Sequence, residues 1–220
     1  MKRSHPEMQI ERLLTVWGII VIVWSFFRAY VHMPLGISEF IVKPLLFIGP
    51  VYFYVKRFEK KGNFVHSIGF RKKNILKEFL LAVALVFTLI IVGFFSLSRN
   101  PSLVLANVQV QWGKFLWVAA LAVATAFSEE IVGRGFLFQY LFKYSKSFFI
   151  SFFLSMLLFF ILYLPGVLTS GAGGSILLLS FALNIIMTTI SVVLYRLRGN
   201  LLLPIAVHVA ILIWFDLFLL

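Results

Sequence analysis

The sequence predicts an all-α fold, a polytopic transmembrane bundle of about seven helices. Of the 220 residues, 61% are hydrophobic and only 13% are charged, whereas soluble domains average about 25% charged residues. So few charged side chains cannot cover the outside of a water-soluble globule. A bilayer-spanning helix needs about 17–25 apolar residues, and seven apolar segments approach or exceed that length. They lie at roughly 13–31, 40–56, 76–97, 112–142, 148–164, 175–195 and 201–219.

The distribution of positive charge predicts the orientation of this bundle. Lys and Arg concentrate on the cytoplasmic side of membrane proteins. With the N-terminus in the cytoplasm, all but four of the 20 Lys and Arg fall on the inner side, many of them in the connection 56–77. That connection suits contact with anionic lipid headgroups, although ordinary topology explains its charge as well. We therefore predict that the N-terminus lies inside and the C-terminus outside. The residues left on the outer side are Arg28, Lys43, Arg99 and Lys114.

The composition also excludes several classes of protein. The chain has no Cys, so it forms neither a disulfide framework nor a thiolate metal site. A nucleic-acid-binding surface needs exposed aromatic residues, but here they lie within apolar runs, and membrane topology accounts for the net charge of +12. The first segment is too long for a signal peptide, and we expect it to be retained. We predict one membrane domain, embedded in the lipid of the cell membrane, a bacterial plasma membrane, without a cofactor or nucleic acid.

Ionisable residues inside the apolar segments are the candidates for a functional site. Such residues are costly in a bilayer, and those that persist usually face a protein interior or a water-filled cavity. The fourth segment carries Glu129, Glu130 and Arg134. Glu130 and Arg134 are four residues apart, the spacing of an ion pair on a helix. Glu129 points about 100° away, so its carboxylate is predicted to stay free and to act as a base. A purely structural motif, helix packing plus one ion pair, leaves Glu129 unexplained.

Depth along the helices predicts two further members of the site. The fourth and fifth segments form a hairpin that turns near Lys146, and Glu129 and Tyr163 each lie 17 residues from that turn. His208 lies nine residues beyond Gly199, about 13 Å at 1.5 Å per residue. We therefore predict that Glu129, Tyr163 and His208 meet in one cavity that opens to the inner side.

Other polar groups leave alternatives open. Glu129, Glu130 and His208 are ligand types that bind zinc, but the chain has no His-Glu-x-x-His pattern, and adjacent Glu side chains diverge around a helix. We therefore expect no metal. Asn184 lies within the sixth segment and is a candidate amide donor, whereas Asp216 lies near the outer end of the last segment, where it meets water.

The motifs around these residues resemble those of a known family. Ser-Glu-Glu-x-x-x-Arg-Gly at 128–135 resembles the first motif of the CPBP group, the CAAX proteases and bacteriocin-processing enzymes, also called the Abi family. The second motif, Phe-x-x-x-His before Leu-Pro, is similar to residues 159–165, with Tyr163 in place of the His. The third, His-x-x-x-Asn after a Gly-Asn-Leu lead, is similar to residues 199–212, with Leu212 in place of the Asn. The resemblance covers about residues 112–212.

This resemblance implies an intramembrane endopeptidase that cleaves peptides presented at the cytoplasmic face. In the family, the first Glu and the second-motif His activate a water, and the third-motif His and Asn stabilise the oxyanion. The candidate catalytic residues are therefore Glu129 as base, Tyr163 beside it and His208 as oxyanion donor, with Glu130 and Arg134 holding the geometry. The resemblance also divides the chain into N-terminal membrane helices with a basic loop, 1–111, and a CPBP-like core, 112–220.

The two substitutions leave a second function open. Loss of an oxyanion donor typically costs about 10²–10³ in rate, and loss of an acid/base partner costs about 10²–10⁴. The alternative is a catalytically degenerate member of the family, acting as a membrane scaffold, a regulator or a bacteriocin-immunity protein. A transporter with Glu129 as its proton site is less consistent with the chain, which has neither an internal repeat nor paired broken helices. The intact first motif favours the endopeptidase.

Overall fold

The computed structural model describes residues 6–59, 63–71, 74–99, 112–169 and 173–218, and every regular element within these ranges is helical. The all-α bundle is therefore confirmed. Among the described residues, six helices are long and apolar enough to cross a membrane, and the apolar part of a seventh, Leu202–Trp214, is shorter. The orientation of the bundle stays a prediction. In chain order the helices are α1 Pro6–Tyr30, α2 Leu35–Phe58, the short α3 Phe64–Ser67, α4 Ile75–Ser98, α5 from Trp112 to Ser145, α6 Phe148–Thr169, α7 Gly174–Arg198 and α8 Leu202–Phe218.

The outside of the bundle is apolar, as a lipid-facing surface must be. Ile22, Phe149 and Leu178 are each 70% exposed, and Leu45 is 66% exposed. Large exposed apolar patches are uncommon on soluble monomers, but in a bilayer the lipid tails cover them. Because glutamates, a lysine and an arginine are buried inside, the distribution of polarity is that of a multi-pass membrane protein.

The centre of the bundle is formed by α5 and α8. Helix α8 packs along both α4 and α5, and every residue from 203 to 210 is buried. A sharp turn brings the chain into α8. Gly199 ends α7 with a φ of +61°, and the Asn200 side chain accepts a hydrogen bond from the backbone N–H of Leu202 at 3.2 Å. The left-handed glycine and the capping asparagine thus set where α8 begins.

Within the described residues, two helices contain a π-helical stretch where the sequence predicted regular α-helix. These stretches are Ser38–Val42 within α2 and Ile131–Phe138 within α5. π-Helical turns are rare in proteins, and those that occur often lie at functional sites. Both adjoin ionisable residues, because Glu39 lies in the first stretch, Lys43 follows it directly and Glu130 directly precedes the second.

The basic connection 56–77 is tied to the bundle. Its described part contains α3 and buries Ile68. Gly135 of α5 lies so close that a Cβ there would be 2.5 Å from the Ile68 carbonyl oxygen, and the Gln139 side chain donates to the Ser67 carbonyl at 2.8 Å. The described part of the connection therefore packs directly against α5.

Candidate functional site

Glu129 lies at the centre of a buried polar network. The Tyr163 hydroxyl donates a hydrogen bond to its Oε2 atom, and the Nε2 atom of His208 lies 3.5 Å from the same oxygen. Glu129 and His208 are buried. The short turn after Ser145, where Lys146 has a φ of +59°, aligns α5 with α6 as predicted. The predicted proximity of Tyr163 and His208 to Glu129 is therefore confirmed, whereas the prediction that all three line one cavity is wrong, because His208 lies behind Glu129 and does not line it.

Glu129 is nevertheless not a free carboxylate. The Nζ atom of Lys43 lies 2.7 Å from Glu129 Oε1 and 2.8 Å from Glu39 Oε2, and the Thr125 hydroxyl donates to that Glu39 oxygen at 2.7 Å. The prediction that Glu129 lacks a partner is wrong. The Lys43 side chain, which the sequence counted among the outer-side charges, is buried between α2 and α5. A Glu and a Lys four residues apart at the start of an apolar segment were the overlooked pattern.

The predicted ion pair between Glu130 and Arg134 is confirmed. Arg134 NH1 lies 3.1 Å from Glu130 Oε1, and the two side chains are 1% and 0% exposed. Arg134 also donates to the Thr188 hydroxyl of α7 at 3.1 Å, and its guanidinium lies 4.7 Å from the ring centre of Phe159 in α6. The Nδ1 atom of His208 in α8 lies 2.9 Å from Glu130 Oε1. The pair therefore connects α5 to three neighbouring helices.

His208 bridges the two adjacent glutamates of α5, one ring nitrogen facing each carboxylate. The cations of the network are Lys43 and Arg134. Lys43 contacts the carboxylates of Glu39 and Glu129, and Arg134 contacts that of Glu130. Among the residues that the structure describes, no group of three or more His, Asp or Glu has the arrangement of a metal site.

A cavity of about 300 Å³ reaches Glu129. Its polar lining includes Lys43 and Tyr163, whereas His208 does not line it. The cavity extends towards Arg28 and Gly166, which lie near the ends of α1 and α6.

The predicted inward opening of this cavity is not found under the predicted orientation. The cavity lies in the half of the bundle away from the basic connection 56–77, and with the N-terminus inside this is the outer half. The physical reason is packing, because residues 131–138 are all buried and fill the space between Glu130 and that connection.

The two other polar candidates do not join the site. The Asn184 amide donates to the Met156 carbonyl at 3.2 Å and so joins α7 to α6. Asp216 lies two turns beyond His208 and does not line the cavity. Position 212 does line it, so the third motif contributes the apolar side chain of Leu212 where the family has Asn.

Comparison with known proteins finds one similar family. Residues 111–213 match the model of the Rce1-like family, described as type II CAAX prenyl endopeptidase Rce1-like. A search of curated proteins and a search of solved structures gave no match. The matched residues contain Glu129, Tyr163 and His208, whereas Glu39 and Lys43 precede them. The resemblance predicted from the motifs is thus confirmed, because residues 111–213, just under half of the chain, are similar to the Rce1-like, CPBP family of CAAX-protease-like membrane proteins.

Proposed function

We propose that this protein is an intramembrane endopeptidase in which Glu129 activates a water to cleave a peptide bound in the cavity. One observation carries the proposal, namely that the Glu129 carboxylate lines the cavity beside the Tyr163 hydroxyl. An ionised carboxylate has about four acceptor sites. Tyr163 and His208 face Oε2, and Lys43 takes one site on Oε1. One site on Oε1 is left to accept a hydrogen bond from a water.

The reaction needs only the peptide and this water. Glu129 takes a proton from the water, and the water oxygen bonds to the peptide carbonyl carbon, whose own oxygen becomes an oxyanion. The proton then passes to the amide nitrogen, the C–N bond breaks, and a carboxylic acid and an amine leave; the acid then gives its proton to the amine. Tyr163 acts as a positioning residue, because it orients the Glu129 carboxylate through its hydrogen bond. Glu130 and Arg134 hold α5 against its neighbours.

The proposal includes the route of the peptide. It enters from the end of the bundle that carries Arg28 and Gly166, since the cavity extends towards these residues. We retain the orientation with the N-terminus inside and the location in the cell membrane, a bacterial plasma membrane. The entrance is then on the outer face, in place of the cytoplasmic face implied by the resemblance.

A second candidate function is a catalytically silent scaffold, regulator or bacteriocin-immunity protein. Two observations favour it. Leu212 gives the cavity an apolar side chain where the family has an amide, and Lys43 already forms an ion pair with Glu129. Such a protein keeps the fold and the ionic network but needs no substrate turnover.

The test is cleavage of a proteome-derived peptide library by purified protein in lipid nanodiscs, with new N-termini identified by mass spectrometry. We expect cleavage by the unaltered protein and none by Glu129→Gln. The matched control is Glu59→Gln, because Glu59 pairs with Lys143 at the other end of the bundle and its change should leave cleavage intact. Absence of any new N-terminus, or the same set from Glu129→Gln, would refute the endopeptidase and favour the scaffold.

A further inference from the structure

Arg28 and Trp24 also line the cavity, but the hydroxyl donors on its lining are already engaged with carboxylates. The Thr125 hydroxyl is committed to Glu39, and the Tyr163 hydroxyl is committed to Glu129. His208 does not line the cavity, and both of its ring nitrogens face carboxylates. The oxyanion role that the resemblance assigns to His208 therefore lacks a path to a bound peptide.

Lys43 has an N–H group that can donate to a peptide in the cavity, whereas His208 has none. An ammonium group has three N–H donors. Two are directed at acceptors, Glu39 Oε2 at 2.8 Å and Glu129 Oε1 at 2.7 Å. The described residues provide no third hydrogen-bond acceptor for this group, which lines the cavity. Trp24 and Phe47 flank it, with ring centres 5.4 and 5.9 Å from Nζ.

The position of Lys43 is fixed in advance of any substrate. Glu39 and Glu129 hold the ammonium from two helices, α2 and α5. A preorganised charge in a water-poor site stabilises a developing anion without reorganising at the moment of reaction. The open acceptor site of Glu129 lies on Oε1, the oxygen that contacts Lys43. A water on Oε1 and a carbonyl oxygen on Lys43 would therefore be neighbours.

We infer that Lys43 is a catalytic residue that donates its third N–H to the carbonyl oxygen of the bound peptide and stabilises the oxyanion. This inference rests on the proposed endopeptidase function. Lys43 lies in α2, outside the matched residues 111–213. It takes the role of oxyanion donor, which the apolar side chain of Leu212 cannot perform. When the water attacks, the carbonyl π electrons move to the oxygen, and the ammonium beside it neutralises that charge without giving up a proton. When the C–N bond breaks, the electrons return and the carbonyl leaves Lys43.

The first test is kinetic and uses the best-cleaved library peptide. Removing Lys43 alone strands two carboxylates, so the main variant is Lys43→Met with Glu39→Gln, which removes one charge of each sign. We expect kcat to fall by about 10²–10³, as when an oxyanion donor is lost, with a smaller change in KM. Adding Leu212→Asn to this variant places an amide in the cavity, and it should raise kcat at least tenfold above that of the variant. A merely structural Lys43 would give no rescue by Asn at 212.

The second test does not need turnover. The probe is a leucyl-leucine phosphonate with blocked ends, whose tetrahedral anionic phosphorus imitates the intermediate and whose side chains suit the largely apolar cavity. Calorimetry should show binding to the unaltered protein, at least tenfold weaker binding to the Lys43→Met, Glu39→Gln variant, and recovery with Leu212→Asn. Equal binding to all three proteins, or no binding to the unaltered protein, would overturn the inference.

The two tests separate this inference from the proposed function. If the unaltered protein cleaves no peptide but binds the phosphonate through Lys43, the endopeptidase proposal fails and the assignment of Lys43 as an anion donor stands. If the protein cleaves and the Lys43→Met, Glu39→Gln variant keeps its kcat, the endopeptidase stands and the role of Lys43 is refuted. Tryptophan fluorescence of each variant confirms that it is folded.

Discussion

Breaking the buried pair between Glu130 and Arg134 should be costly, and removing both partners should cost less than the sum of the two single losses. The side chains are 0% and 1% exposed and lie 3.1 Å apart. Arg134→Met strands the Glu130 carboxylate with His208 as its nearest partner, and it removes the donor to Thr188. Breaking a buried pair typically costs about 3–5 kcal/mol. Because whole domains are stable by only about 5–15 kcal/mol, this single change should sharply lower the folded yield.

The reverse change leaves a different defect. Glu130→Gln keeps an oxygen that can accept from Arg134 but leaves the guanidinium charge buried, so its cost should lie at the lower end of that range. The double variant has no stranded charge. Contacting residues typically show coupling energies of about 0.5–3 kcal/mol, and we expect the double loss to be smaller than the sum by that amount.

The assay is unfolding of the purified protein in mixed micelles by increasing mole fraction of SDS, followed by tryptophan fluorescence. The matched control is the pair of Lys143 and Glu59, whose side chains are 47% and 20% exposed. Exposed pairs contribute about 0–1 kcal/mol, so Lys143→Met should shift the transition little. Strictly additive losses for Glu130→Gln and Arg134→Met would refute the reasoning, because they would mean that the two charges do not depend on each other.

Further predictions concern topology, the positioning residue and packing. With the N-terminus inside, a Cys introduced at Gly173 should react with an impermeant maleimide in intact cells, and a Cys at Lys146 only after permeabilisation; the opposite pattern would reverse the orientation. Tyr163→Phe should abolish cleavage without unfolding the protein, and Tyr163→His should match or raise the rate, because imidazole shuttles protons near neutral pH; full activity of the Phe variant would exclude a role for the hydroxyl. A Cβ at Gly133 would lie 3.0 Å from Phe159, so Gly133→Val should destabilise by about 1–3 kcal/mol, and an unchanged SDS transition would contradict that contact.

The sequence alone determined the class of fold and part of the site. A bilayer demands long apolar helices because every backbone polar group must be satisfied within the segment, and that demand is visible residue by residue. The pair of Glu130 and Arg134 follows from helical spacing. The contact between Glu129 and Tyr163 follows from the short turn at Lys146, since an antiparallel hairpin with a tight turn fixes which residues share a level.

The tertiary structure decided the rest. No short hairpin joins α2 to α5, so nothing in the local sequence placed Lys43 against Glu129, and its charge was counted with those of the outer side. The sequence also did not predict the π-helical stretches beside these residues. Nor did it predict which end of the bundle the cavity faces. The physical reason is that lipid tails are as apolar as the helices themselves, so which helices lie side by side is decided by close packing and interhelical polar contacts, and these join residues that are far apart in the chain.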